Sequence, residues 1–339
     1  MTAESARVRP PSLRRPAYFE LAAAVRSAGL YQRQPAYYGA MFVGLGIALA
    51  AGLVALFRVE SMVAVVLISG YLGVVVVQVC FLAHDAGHRQ VARTPFQNDM
   101  LVSLTTLVTG ISLSWWIDSH EKHHRYPNDP RFDPNSRIPL VALTASAHAA
   151  RSKVSRIIGT AQHWYFWIII ALEGANLHVQ SLVFLRRNRF KGRYGYLDSV
   201  MMLSYFTALL ALALFALSWP QAVAFLGTFH LVFGLYLGLA FTPNHIGMPE
   251  WPTDSRDVVR GQLLTTRNLR PGPVVDFVFG GLDYQIEHHL FPAIPRNKLP
   301  LARILIKEWC HANQLEYQES TVPKVYREIY QALRVRNLT

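Results

Sequence analysis

The sequence predicts an all-α integral membrane protein: four transmembrane helices in two hairpins, with a cytoplasmic helical cap that carries the chemistry. Three observations point there. Of the 339 residues, 52% are hydrophobic and only 16% are charged, too apolar a balance for an ordinary soluble domain. Four stretches, 40–57, 62–83, 200–217 and 222–241, approach the roughly 20 apolar residues needed to cross a bilayer. The connections 58–61 and 218–221 are very short, so each hairpin enters and leaves on one side and the large polar segments share a face.

Taken in order, residues 1–36 form a polar N-terminal segment. Arg7, Arg9, Arg14, Arg15, Arg26 and Arg33 precede the first span, whereas the opposite loops contain only Arg58, offset by Glu60. Basic residues stay on the cytoplasmic side, so both termini are expected in the cytoplasm of a bacterial-type cell membrane. The first apolar run is long enough to span and reads as a retained anchor rather than a cleaved signal. Residues 37–300 form the membrane domain, and 301–339 a cytoplasmic C-terminal helical segment.

Two weaker apolar runs, 100–116 and 164–172, are expected as interfacial or re-entrant helices: Ser, Thr and Gly interrupt the first, and the second is too short to cross. A crossing at 100–116 would put the histidines before and after it on opposite sides of the bilayer, where no metal site could include both.

The net charge of +12 does not indicate nucleic acid. The basic residues sit beside apolar spans, as with Arg186, Arg187, Arg189, Lys191 and Arg193, where they set topology. The two cysteines, Cys80 and Cys310, support no disulfide framework and place the active face in a reducing compartment.

Seven of the 13 histidines fall in three tight groups: His84 and His88; His120, His123 and His124; and His288 and His289, preceded by Gln285. Residues three and four apart share a helix face, so each group is expected to present its side chains on one helical surface. Several imidazoles together suit a borderline transition metal. His245, directly after the fourth span, is an eighth candidate at a depth matching His84. Asp85, Glu121 and Glu287 are candidate hydrogen-bond partners of the rings, since metal-bound imidazole donates its other N–H to a carboxylate or carbonyl. His178 is a further candidate for approach to the metals, and Asn244 and Gln285 are expected among the side chains that support the ligands rather than among the ligands themselves.

These residues resemble the membrane fatty acid desaturase superfamily, whose three histidine boxes read HxxxH, HxxHH and [H/Q]xxHH in this order. The likeness extends to Trp115-Trp116 before the second box, Pro127-Asn128 and Asp133-Pro134 after it, Asn244-His245 after the fourth span, and Leu290-Phe291-Pro292 with Pro295-Arg296 after the third box. It covers about residues 37–300. Gln285 is similar to the third box of front-end and related bacterial desaturases, which act between an existing double bond and the carboxyl end, and departs from the all-histidine box of delta-9 enzymes.

The resemblance implies two iron ions (zinc being able to enter the same pocket in recombinant protein) held by His84, His88, His120, His123, His124, His245, His288 and His289. It also implies a fatty acyl substrate, O2 and a lipid bilayer around the spans. The fused haem domain of some relatives, marked by His-Pro-Gly-Gly, does not occur here, so electrons are expected from a separate ferredoxin or cytochrome b5-like protein with its reductase. Two other readings stand beside it: a lipid hydroxylase or other histidine-box oxygenase, and a membrane metal-binding or transport protein.

Overall fold

Three of the four spanning helices begin ahead of their apolar runs. The computed structural model describes residues 15–138, 140–188, 194–252 and 257–335; of the basic residues read as topology signals, Arg7, Arg9, Arg14, Arg189, Lys191 and Arg193 lie outside them. After α1 (Arg15–Ser27), helix α2 covers Pro35–Leu56 and α3 Met62–Gly87. Pro35 takes the first turn of α2, where a missing N–H costs nothing and the ring presets φ. That start lies ahead of the apolar run because Tyr37 and Tyr38 continue the helix into more polar surroundings.

Between the hairpins run α4 (Pro95–Thr109), α5 (Leu113–Arg125), the short α6 (Ala145–Ala149) and α7 (Lys153–Gly159), then α8 (Gln162–Ala171) and α9 (Glu173–Arg187). The second hairpin is α10 (Gly195–Ala216) with α11 (Trp219–Phe241). Helices α2, α3, α10 and α11 are each long and apolar enough to cross a membrane, matching the two expected hairpins. Of the apolar window of α3, 61% is buried, against 11% for α2. Thus α3 is the centre of the bundle, and it packs on α2, α4 and α11.

Both weaker apolar runs lie in sharply bent helix pairs. Helices α4 and α5 meet at 109°, α8 and α9 at 66°. The first bend is written locally. Thr94 and Gln97 form a reciprocal cap that starts α4, and Gly110 ends it in the left-handed region at φ 68°, a conformation that costs glycine little. Ser112 then caps α5 through the Trp115 amide. Buried Asp198, from the first turn of α10, accepts from the Ser112 hydroxyl at 2.7 Å and the Ser114 amide at 2.8 Å, placing a carboxylate at the positive end of the α5 dipole.

At the second bend, α11 presents glycine to its neighbours. A Cβ on Gly234 would overlap the Ala171 carbonyl, so only glycine lets the α8–α9 corner approach this closely.

Beyond α11 the chain forms α12 (Val258–Thr265), β1 (Asn268–Leu269), α13 (Pro273–Phe279), α14 (Gln285–Leu290), α15 (Leu299–Ala312), β2 (Glu319–Ser320) and α16 (Val322–Val335). The strands pair in parallel, Asn268 opposite Glu319 and Leu269 opposite Ser320. Sequence reading had no strand here, because a two-residue pair leaves no alternating pattern to detect.

One apolar core lies among the spans and includes Val325, Ile329 and Leu333 of α16, at helical spacing, with Phe166 and Ile170 of α8. A second joins Leu21 and Val25 of α1 to Ile286, Leu290, Ala302 and Ile306. A third, smaller cluster of Ala86, Val102, Leu113 and Tyr194 packs beneath the first and second boxes.

Candidate metal centre

All eight histidines singled out in the sequence converge, and they do so as two groups. His84, His88, His120, His124 and His288 bring one ligand nitrogen each to within 4.8 Å of one another, and His123, His245 and His289 do the same. The groups adjoin: the rings of His124 and His289 stack 4.2 Å apart at 12°, and those of His123 and His289 lie 5.1 Å apart.

Helix geometry explains the division. His84 sits in the last turn of α3 and His88 caps its end, so the first box points one way. In α5, His120 and His124 are one turn apart and share a group, whereas His123 lies about 100° round the helix from His124 and turns to the other. In α14, neighbours His288 and His289 diverge likewise. The expectation that the second and third boxes each present a single cluster is therefore corrected: each box supplies both groups and ties them together.

The donor set fits a cation. In the five-histidine group the Nε2 atoms of His88 and His124 lie 2.8 and 3.0 Å from Nε2 of His120. A neutral imidazole carries one proton for its two nitrogens, so even when protons bridge these contacts at least one of the three Nε2 atoms must present a bare lone pair, the donor a cation takes. Nε2 of His84, His288 and His289 is buried without a protein partner, which is costly unless another atom is bound there.

In the three-histidine group every Nδ1 has an acceptor. Asp133 takes His123 Nδ1–H at 3.1 Å, the Thr265 carbonyl takes that of His245 at 3.1 Å, and Gln262 Oε1 takes that of His289 at 3.0 Å. This fixes the tautomer that leaves Nε2 free to ligate. Burial and neighbouring imidazoles hold His288 and His289 well below the ordinary histidine range, and burial brings His245 down to about 3. Neutral rings are the form that binds metal.

Local backbone places these acceptors. Asn128 adopts a left-handed φ of 61°, tolerated by asparagine, and its amide donates to Asp133 at 2.9 Å. Its side chain donates to the His245 carbonyl at 2.8 Å, so the Pro127-Asn128 and Asp133-Pro134 pairs join the second box to the turn after α11. The Asp133 carboxyl stays below its usual range despite burial, because His123 and two backbone amides stabilise the anion.

The acids expected beside the rings are placed differently from one another. Asp85 lies 3.7 Å from His84 Nδ1 and pairs with buried Arg296 at 2.8 Å. Glu121 is exposed on the outer face of α5. Glu287 is fully buried but faces away from the histidines, accepting from Asn268 at 2.7 Å and Tyr317 at 2.7 Å. Burial pushes it up to about 7. His178 is likewise elsewhere: it contacts the Thr109 carbonyl at 2.7 Å and packs against Tyr205, Phe206 and Phe233, at the α4–α5 bend.

Asn244 and Gln285 do reach the three-histidine group. Gln285 Nε2 lies 3.0 Å from His245 Nε2, and Asn244 Nδ2 donates to Gln285 Oε1 at 3.2 Å. Sequence reasoning missed Gln262, Thr265 and Arg267, and it had Asp133 and Arg296 only as parts of a resemblance. An acid followed by proline, nine residues beyond the second histidine box, was the available signal for Asp133; the others are single polar residues with no periodic mark.

Trp116 walls the five-histidine group, stacked 4.5 Å from His120 at 25° with its ring against His84 and His88. It can come so near because Gly87 has no side chain; a Cβ there would overlap the indole.

Comparison with known proteins gives this arrangement its context. The chain is 29% identical over 273 residues to the delta-6 fatty acid desaturase fat-3 of Caenorhabditis elegans, covering 73% of this chain and 61% of that protein. It is 27% identical over 316 residues to the delta-8 fatty acid desaturase 2 of Arabidopsis thaliana, covering 89% and 70%, and 27% identical over 259 residues to the delta-5 fatty acid desaturase fat-4 of Caenorhabditis elegans, covering 73% and 58%. The chain thus spans about six- to seven-tenths of these relatives. The family model described as fatty acid desaturase matches residues 60–321, which take in both histidine groups, and the chain belongs to that family.

Proposed function

We propose that this protein is an oxygen-dependent acyl desaturase with a two-iron centre, introducing a cis double bond on the carboxyl side of an existing one in a lipid-, CoA- or carrier-linked acyl chain. The observation that carries the reading is the convergence of eight imidazoles into two adjoining groups. Gln285 in the third box and the delta-6, delta-8 and delta-5 names of the relatives support the front-end assignment.

His84, His88, His120, His124 and His288 would hold one iron, and His123, His245 and His289 the other. Such a centre, when bound, supplies the O2-derived oxidant needed to take hydrogen from an unactivated methylene, chemistry beyond any side chain. The protein's own residues then position and seclude. Asp133, Thr265 and Gln262 fix three rings through Nδ1. Trp116 shields the five-histidine group on the side of the α4–α5 bend. With no polar handle at the reacting carbons, regioselectivity rests on where an apolar channel holds the chain.

Electrons come from a separate ferredoxin or cytochrome b5-like carrier with its reductase. The two α-hairpins anchor the chain in a bacterial-type cell membrane with both termini and the metal centre on the cytoplasmic side. Residues 1–36 and 301–339 flank the membrane domain, 37–300, on that side.

The test is lipid profiling of a defined host before and after expression, with double-bond positions determined. A product two mass units lighter, unsaturated on the carboxyl side of an existing double bond, is the expected result. A product sixteen units heavier assigns hydroxylation instead, and an unchanged lipid profile in cells containing metal-loaded protein and a reductant supply refutes the oxygenase reading.

A further inference from the structure

The turn that carries His245 follows directly on α11, and its carbonyls lie past Phe241, the last helical residue, where the helix ladder supplies no donors. Arg267, which comes just after α12, supplies them. Its Nε donates to the Pro243 carbonyl at 2.7 Å and its Nη2 to the Ile246 carbonyl. Its backbone amide donates to the Asn244 carbonyl at 3.1 Å. The carbonyls on both sides of His245 are therefore held by one residue. A cation at the negative end of α11 is also favoured by the helix dipole.

Arg267 is itself only 5% exposed, a placement that costs free energy unless partners offset it. Its third donor supplies one: Nη1 lies 3.3 Å from Glu328 Oε2 on α16. Two residues earlier, the Thr265 carbonyl accepts His245 Nδ1–H. The strip 265–267 thus fixes His245 twice, its ring through Thr265 and its backbone through Arg267, and anchors both to the C-terminal helix.

We infer that Arg267, braced by Glu328, is a positioning residue that sets His245 in the three-histidine group, making α16 part of the metal centre's support. This rests on reading His123, His245 and His289 as a metal site. Unlike the ligands, Arg267 touches neither metal nor substrate.

The experiment uses the purified full chain, freed of metal and titrated with cobalt(II), whose visible absorption reports nitrogen coordination. His245→Ala marks which equivalent belongs to the three-histidine group. For Arg267→Gln the expected result is an affinity for that equivalent weakened by about 10- to 100-fold, the range for residues that orient a ligand, with the other equivalent unchanged. Arg267→Lys, which keeps the cation and a donor, should recover most of the loss.

Lower thermal stability with both equivalents bound at wild-type affinity would show an ordinary buried arginine and overturn the inference. Should Arg267→Gln fail to fold, Glu328→Gln, which removes the carboxylate that braces Arg267, is read in the same titration: weakening confined to the marked equivalent supports the inference, and unchanged binding overturns it. A wild-type protein taking fewer than two equivalents would overturn the metal-centre reading along with it, an outcome distinct from two equivalents that ignore Arg267.

Discussion

Gln262 accepts the Nδ1–H of His289 at 3.0 Å and, with the other end of its amide, donates to the His124 carbonyl at 2.6 Å. One buried side chain therefore orients a ring of the three-histidine group and braces the helix that carries the second box. Gln262→Leu should lower metal affinity by about 10- to 100-fold. It should also cost about 1–3 kcal/mol in stability, because a buried ring N–H is left without an acceptor. Metal titration and thermal unfolding of the variant check this, and wild-type affinity in the leucine variant would refute it.

Gly87→Ala places a methyl group into the Trp116 ring that stacks on His120. Overpacking of this kind costs about 1–3 kcal/mol, and the indole must move off the histidines to relieve it. The expected outcome is lower activity with the spans still inserted, partly recovered in the Gly87→Ala, Trp116→Leu double variant. If the double variant is no better than the single one, the indole is not what the methyl group displaces.

Much of this was legible in the sequence, and what was not has physical reasons. The four spans and the box residues are visible because each obeys a rule of length or period: continuous apolarity for α2, α3, α10 and α11, and spacing of three or four for the histidines. The division of the boxes was not visible. Sharing a helix face says nothing about where the partner group lies, and the paths of His123 and His289 are set by packing of α5 and α14 against the turn after α11. Arg267 and Thr265 were invisible for the same reason, since their role depends on a strip some 20 residues beyond His245 folding back on it. Glu287 was misread because adjacency to His288 in sequence means roughly 100° of separation on a helix, enough to send its carboxyl to Tyr317 instead.

The unequal ligand counts separate two kinds of loss. His124→Ala leaves four imidazoles in its group and should still bind two metal equivalents, the first more weakly. His123→Ala leaves only His245 and His289 and should lose one equivalent outright. Turnover should vanish in both while the protein stays in the membrane. Metal analysis of the purified variants decides the point, and equal retention in both would contradict the division into five and three.

Glu287 makes a pH signature. Burial raises it to about 7 from an ordinary 4.5, so between those values the folded chain holds a proton that the unfolded chain has released. Its contribution to stability is full below about pH 4.5 and is lost as pH rises through about 7, at most about 3 kcal/mol at 1.36 kcal/mol per pKa unit. Glu287→Gln can keep both neighbours, taking the Asn268 N–H and donating to the Tyr317 oxygen. The stability difference between variant and wild type should therefore grow in the variant's favour from pH 4.5 to 7.5. A difference constant across that range would mean that Glu287 is ionised in the fold.

Gln285 is the position at which this chain departs from an all-histidine third box, and its surroundings say what the amide should do when metal binds. Its Nε2 lies 3.0 Å from His245 Nε2, an arrangement that requires the imidazole lone pair to accept. A metal takes that lone pair, so the N–H must go elsewhere. Asn244 Oδ1 is buried without a partner, while Asn244 Nδ2 is the group now facing Gln285. Turning both amides over, at no cost in shape, gives Asn244 Oδ1 the Gln285 N–H and points the Gln285 carbonyl oxygen at the three nitrogens. Gln285→Leu should then weaken the three-histidine equivalent by at least about 10-fold, Gln285→Glu should preserve it, and Asn244→Leu should weaken it less than Gln285→Leu because only the orientation of the amide is lost. Equal affinity in Gln285→Leu and wild type, read by metal titration, would show that the amide stays turned away.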